Sequence, residues 1–482
     1  MYLQQLLNGV CCEVVGNGNP DITSLAMDTS EVKPNCLFFC IKGNKYDGHN
    51  FFRKVIGDGA SAIVCERQLD TQALQIVVED VRAAMSLMAK NFYENYVDKL
   101  KVIYIVGTNG KTSTSYVLDS ILSDAGYNTA VIGTNGIFFN NQRHRNSLTT
   151  PDPIELHYWF KQMYLNKVDI VIMEASAHAI ALRKLQGICA DFAIFTNFSQ
   201  DHLDFFRTME DYAKVKKSIF NKRYIKNAIV NVDDELGKEI VDILPTSTYA
   251  INSKADIVAS EVKIGVIGSD YKLTAFGQSA VVSTHLAGEF NVYNTLAAIS
   301  CALALGVDID TAVNAVGKID EVSGRNETVI RSDGARIVID FAHTPDGIEN
   351  ILSFLKKTTD GNLIVVFGCG GNRDKFKRPL IGEKVSEYAD FAVLTNDNPR
   401  YEDPKQIARD VYERLTCKYK VILNRSQATE YALSIAKAND TVAILGKGAE
   451  EYQEIRGRKF PYSDIDIVRS LLKTERVHNE EI

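Results

Sequence analysis

Apolar residues in this chain gather into short, nearly continuous runs that alternate with helically spaced stretches. VDIVIMEAS (168–176), ADFAIFTNF (190–198) and NAIVNV (227–232) are such runs, as are the starts of LIVVFGCGG (363–371), FAVLTNDNPR (391–400) and TVAILGKGAEEY (441–452). A strand apolar at every position is covered on both faces, and its alternation with helices predicts a doubly wound, mostly parallel sheet. After the run Val102 to Val106, the residues Tyr116, Val117, Leu118, Ile121 and Leu122 repeat with helical spacing, and a second apolar helix follows Asn291. Upstream, LFFCI (37–41) and SAIVCE (61–66) read as strands, and VRAAMSLMAKNFYENY (81–96) reads as an amphipathic helix closing a first unit. The alternation starts near residue 99 and restarts near 325. The expectation is therefore an α/β chain of three domains, 1–98, 99–324 and 325–482.

Each unit is long enough to bury its own core. An apolar content of 45% and a charged content of 24% are ordinary for a globular chain of 482 residues. No apolar run approaches the roughly 20 residues of a membrane span, and the N-terminus has no basic region or cleavage site, so a cytoplasmic protein without membrane insertion is expected. A net charge of −7 argues against nucleic acid as a partner, and requires any polyanion site to gather positive charge locally. The nine cysteines lack metal-ligand spacing and read as reduced and mostly buried.

In parallel sheets ligands bind beyond the carboxyl ends of the strands, and here those ends carry charge and glycine. Gly107-Thr108-Asn109-Gly110-Lys111-Thr112-Ser113 joins a strand to a helix. That is the layout of a phosphate-binding loop, although Ile105 stands where the strict motif has its first glycine. Backbone N–H groups and Lys111 would face an anion and Thr112 a divalent cation; the alternative is an ordinary glycine-rich turn. Glu174 closes a strand and is either a solvated terminus or a ligand. Asp201 and His202 either cap a helix or join Thr112 and Glu174 as oxygen and imidazole donors. Lys214, Lys216 and Lys217 read, taken alone, as a solvated basic face. Thr149-Thr150-Pro151 presents two hydroxyls before a rigid turn. DFAHTPDG, FGCGGNRDKFKRP and DNPR follow at later strand ends, and their arginines suit carboxylate recognition.

In order, GTNGKTST, TTPDP, EASAH, FTNFSQDHLDF, TMEDYAKVKKSIF, GEFNVYNTLAA, SGRNE, DFAHTPDG, FGCGGNRDKFKRP, DNPR and GKGAEEYQ resemble the Mur ligase family over nearly the whole chain. The resemblance implies an N-terminal UDP-binding α/β domain, a central P-loop ATPase with a mostly parallel sheet and a C-terminal Rossmann-like domain. It implies an ATP-dependent amide ligase, most similar to members that add the third residue of the peptidoglycan stem peptide, working as a monomer through an acyl phosphate. ATP would be held by residues 107–113 together with Asn294, Arg325, Asp340 and His343. Two Mg²⁺ ions would be served by Thr112, Glu174, His202 and Lys216, the last matching a lysine carbamylated by CO₂, with Lys111, Glu174, His202 and Lys216 catalytic. By the same resemblance Thr29, Asn44, Lys45, Tyr46, Thr149, Thr150, Ser176 and Lys184 contact the UDP-muramoyl-dipeptide.

DNPR is the motif of relatives that take meso-diaminopimelate. Arg373, Asp397, Asn398, Arg400, Gly446 and Glu450 would bind it, with the two arginines gripping its distal carboxylate and repelling the bare ammonium of L-lysine. L-lysine is the alternative acceptor. A folylpolyglutamate synthetase is disfavoured by the N-terminal domain and DNPR, and a weakly active nucleotide-binding paralogue by the presence of Lys111, Glu174, His202 and Lys216. The chain departs from the family at Ala449 (histidine expected), Ala177 (serine), Leu182 and Lys184 (glutamine and arginine) and Phe206-Arg207 (His-Gly), changes that fall on substrate contacts.

Overall fold

The computed structural model of the chain describes residues 1–43, 46–146 and 148–480. Its three large sheets are built from residues 13–77, 101–284 and 327–445. The first has five strands in the order Glu13–Val15, Leu74–Val77, Ala60–Cys65, Cys36–Phe39, Ser24–Ala26, all parallel except the Glu13–Val15 edge. The helix expected over 81–96 spans only Val81–Phe92. Glu94 and Asn95 take positive φ (62° and 55°), a conformation that ends a helix.

The central sheet has eleven strands among the described residues, and Lys101–Val106 lies in its middle between Ile170–Glu174 and Ala190–Phe195, parallel to both. Alternation of side chains explains the unbroken apolar run. Val102, Tyr104 and Val106 pack with Leu156, Phe160 and Phe195 on one face. Ile103 and Ile105 pack against Val117, Leu118 and Ile121 of the helix Lys111–Asp124, and against Leu296 and Ile299 of Glu289–Ala304, on the other. Each such side chain contributes roughly 1.5–3 kcal/mol on burial. The register pairs Glu174 with Ile105 and Phe195 with Val106. The phosphate-loop motif, Glu174 and Thr196 therefore leave the sheet at one level and on one edge.

Both ends of this sheet are antiparallel, Gly136–Phe139 with Gln142–His144 at one and Ile257–Ile264, Ser269–Ala275 and Gln278–Thr284 at the other. The third sheet is a parallel array of Arg336–Asp340, Thr441–Leu445, Leu363–Phe367, Phe391–Leu394 and Lys418–Val421, with Glu327–Ile330 antiparallel on its edge. All nine cysteines are free thiols, five of them buried. Among the described residues no helix is long and apolar enough to cross a membrane.

Candidate active site

A cavity of about 1620 Å³ lies where the strand ends of the central and C-terminal sheets face each other. Gly110, at φ 84°, turns the chain into the helix Lys111–Asp124, and Lys111 donates to the carbonyls of Gly107 and Thr108 (2.9 Å each). A Cβ at Gly107 would overlap Thr196 Oγ1, so only glycine lets the two loops meet there. Burial pushes the Lys111 ammonium below its ordinary pKa, against the pull of Glu174 and Asp201.

Glu174 is not a solvated terminus. It is buried; its Oε1 accepts from Thr112 Oγ1 (2.9 Å) and the Thr134 amide (3.0 Å), and its Oε2 from Thr134 Oγ1 (3.0 Å). Arg325, from the loop entering the third sheet, donates Nη2 to the same Thr112 oxygen (2.9 Å) and lies 4.2 Å from the centroid of the Phe341 ring. Thr150 Oγ1 bonds the Glu174 carbonyl (2.8 Å) and Ser176 Oγ (3.1 Å). Lys184, the departure from arginine, is buried against Asp152 (2.9 Å) and the Thr150 carbonyl (3.2 Å).

Asp201 does not cap the following helix, whose N-cap is His202 in a left-handed conformation (φ 58°) with no side-chain cap. Its buried carboxylate meets His202 Nε2 (3.3 Å) and two groups of the facing domain, Lys377 Nζ (3.1 Å) and His343 Nε2 (3.8 Å). Burial raises the Asp201 pKa, but Lys377 and the imidazoles outweigh it and hold the acid well below the carboxylate range. Burial lowers His202 to about 3 and His343 to about 4, so both imidazoles are neutral near pH 7. His202, a non-glycine residue in the left-handed conformation, carries the kind of backbone strain that collects at functional sites.

The helix Met209–Ser218 separates its three lysines. Lys214 and Lys217 are in solvent, paired with Glu210 (3.1 Å) and Glu239 (2.8 Å). Lys216 is buried against Tyr212 (4.7 Å to the ring) and donates to Thr108 Oγ1 (3.1 Å). Burial, and then Lys111, drive its pKa well below the ordinary value. Phe206 stacks on Tyr212 at 5.0 Å, so this departure from histidine extends the apolar wall beside Lys216.

At the other end of the cavity Asn398 Nδ2 donates to Glu450 Oε2 (3.0 Å), and the buried Lys447 reaches both Asn398 Oδ1 (3.2 Å) and Glu450 Oε2 (2.7 Å). Burial raises the Asp397 pKa, but Lys447 and Arg425 overcome it and lower the acid. Arg373 is exposed and forms no ion pair among the described residues, whereas Arg400 is already engaged with Glu454 (3.1 Å).

The cavity is lined by Thr108 to Ser113, Thr149, Thr150, Glu174, Ser176, Lys184, His202, Asn294, Arg325, Asp340, His343, Arg373, Asp397, Asn398, Arg400, Gly446 and Glu450. Gly107 and Lys216 stand one residue behind that lining. Thr29 and Tyr46 lie on the first domain and do not line it, and Asn44 and Lys45 fall outside the described residues. Sequence reading missed Thr134, Lys377 and Asp346, which accepts from Asn109 Nδ2 (2.7 Å). Thr134 follows the strand Thr129–Gly133 just as Thr108 follows Lys101–Val106, and that position was the available signal.

Among the described residues no three His, Cys, Asp or Glu side chains form a metal cluster by themselves. The Thr112 hydroxyl and the Glu174 carboxylate suit Mg²⁺, a hard ion that ordinarily takes only one or two protein carboxylates and completes its shell with water and phosphate oxygens, and the neutral His202 ring lines the same cavity. The Arg325 guanidinium rests on Thr112; burial lowers its pKa, against the pull of Asp340 and Glu174.

Models of three domain families match the chain: Mur ligase family, catalytic domain, over 21–93; Mur ligase middle domain, over 105–302; and Mur ligase, glutamate ligase domain, over 324–448. The chain is 40% identical to the UDP-N-acetylmuramoyl-L-alanyl-D-glutamate–2,6-diaminopimelate ligase of Bacillus velezensis, covering 97% of this chain and 98% of that one. It is also 40% identical to the enzyme of the same name from Caldanaerobacter subterraneus, with 98% and 99% covered. A solved structure of a ligase of that name superimposes with a TM-score of 0.67 at 30% identity, over 94% of this chain and 95% of the other.

Proposed function

The chain belongs to the Mur ligase family, and from that premise we propose that it joins meso-diaminopimelate to UDP-N-acetylmuramoyl-L-Ala-D-Glu at the expense of ATP. The observation that carries this reading is the single cavity in which the phosphate loop, Thr150 and Ser176, and the Asn398–Arg400 end converge.

A carboxylate does not react with an amine until its oxygen becomes a leaving group. The D-glutamate γ-carboxylate attacks the γ-phosphorus of ATP, an acyl phosphate forms and ADP departs. The neutral amine of the acceptor then attacks the acyl carbon and phosphate leaves. Lys111 supplies positive charge to the transferred group from a position its two carbonyl contacts already hold. Thr112, Glu174 and His202 would hold Mg²⁺, which neutralises charge on the phosphates. Lys216, carbamylated, would add oxygen donors for a second ion. Asn109 with Asp346 and Asp201 with Lys377 draw the facing domain over the cleft, which keeps water from the acyl phosphate. A reaction fed by ATP and a nucleotide-linked precursor belongs in the cytoplasm.

Two experiments test the reading. Phosphate release is expected to require both UDP-muramoyl-dipeptide and an acceptor, and in a panel of meso-diaminopimelate, L-lysine and L-ornithine read by product mass, only the first is expected to yield efficient product. A preference for L-lysine would overturn the acceptor assignment. Gly107→Ala, which drives a methyl into Thr196, is expected to weaken ATP binding by about 10–100-fold in calorimetry. Unchanged affinity would remove ATP from this loop.

A further inference from the structure

We infer that Glu454 is a positioning residue for acceptor specificity, acting by fixing the guanidinium of Arg400. The inference rests on the reading of Asp397 to Arg400 as the acceptor end of the cavity, and goes beyond it by naming what aims that arginine.

Arg400 sits at φ 52°, where a side chain is rarely tolerated, so the conformation needs outside support. The strand Tyr452–Ile455 supplies it. The Arg400 amide donates to the Glu454 carbonyl (3.0 Å), and the Arg456 amide donates to the Arg400 carbonyl (2.7 Å). The Glu454 amide donates to Asn398 Oδ1 (2.8 Å). On this template the side chain is held twice, Nε to Glu454 Oε2 (3.1 Å) and Nη1 to the Gly371 carbonyl (2.9 Å). These two holds fall on opposite sides of the guanidinium and lock its plane, and Nη2 donates to no acceptor among the described residues. Arg400 lines the cavity, so Nη2 is the donor left on this fixed cation for a ligand carboxylate.

Charge points the same way. Arg400 is paired with Glu454 and Lys447 with Glu450, so each of these cations already has its anion. A distal centre bearing both an ammonium and a carboxylate is neutral and fits this balance, whereas a bare ammonium leaves one positive charge uncompensated. Without Glu454 the balance shifts toward the cations and Arg400 loses the carboxylate that sets its rotamer.

The test is steady-state kinetics of the full-length enzyme with Glu454→Ala, Glu454→Gln, Arg400→Ala and the Glu454→Ala/Arg400→Ala double variant. Glu454→Ala is expected to raise the meso-diaminopimelate KM about ten-fold with kcat and the ATP KM unchanged, and Glu454→Gln, which keeps an oxygen for Nε, to return it to within about three-fold of the parent. In the double variant the glutamate change is expected to add nothing to the effect of Arg400→Ala. An unchanged or lowered KM in Glu454→Ala, or effects that multiply in the double variant, overturns the inference. If the parent enzyme uses a different amino acid, the acceptor reading fails on its own. The same four-variant cycle on that amino acid then decides whether Glu454 acts through Arg400.

Discussion

Lys216→Ala is expected to lose roughly 10²–10³-fold in kcat and to recover part of it with added formate or acetate. Burial sets the chemistry of this amine. An ammonium enclosed by Tyr212 and Phe198, near Lys111 and with Thr108 Oγ1 as its hydrogen-bond partner, is destabilised, and its pKa falls well below the ordinary value. The amine is therefore kept toward its neutral, nucleophilic form, the one that adds to CO₂. Addition of CO₂ with loss of a proton would replace this buried amine with an anion bearing two oxygens beside the phosphate loop. Truncation to alanine leaves room for a short carboxylate to return those oxygens. Full activity in the variant, or loss that no carboxylate relieves, would contradict the role given to Lys216.

The second large effect concerns stability. Arg425 and Asp464 are both buried and paired (2.7 Å), and the same guanidinium donates to the carbonyls of Leu445 (2.9 Å) and Asn396 (3.4 Å). Those carbonyls immediately precede Gly446 and Asp397, so this one side chain ties together the two loops of the acceptor end. Arg425→Ala leaves the buried Asp464 carboxylate without its cation, held only by the Tyr462 hydroxyl (2.8 Å), and is expected to cost about 3–5 kcal/mol. Hydrogen exchange on the strand Thr441–Leu445 measures it, and a loss under about 1 kcal/mol would show that the pair is dispensable.

Much of this architecture was legible because it is written in local patterns. Val102 to Val106 is apolar at every position since both faces of its strand are covered, and Gly110-Lys111-Thr112 announces a helix beginning at an anion site. The antiparallel strands at the ends of the central sheet were not legible, because segments such as Gln278–Thr284 have one solvent face and mix polar with apolar residues. The end of the helix at Phe92 was hidden because Tyr93 to Tyr96 continue an acceptable helical composition, and only the positive φ of Glu94 and Asn95 breaks it. Charge partners were the least visible. Asp201 and Lys377 are separated by 176 residues, Asn109 and Asp346 by 237, and no spacing rule connects positions so distant. The three lysines of Met209–Ser218 look alike in sequence, and only tertiary packing makes one of them a buried amine.

Two kinds of electrostatic tie join the central and C-terminal domains. Asp201 holds Lys377 with both side chains under a tenth exposed, while at the mouth Glu451 holds Arg143 and Arg145 in contact with water. Mobile ions screen the second kind and scarcely reach the first. Raising ionic strength therefore unfastens the mouth and leaves the centre shut, so solvent is admitted to the outer edge while the reacting phosphate stays dry.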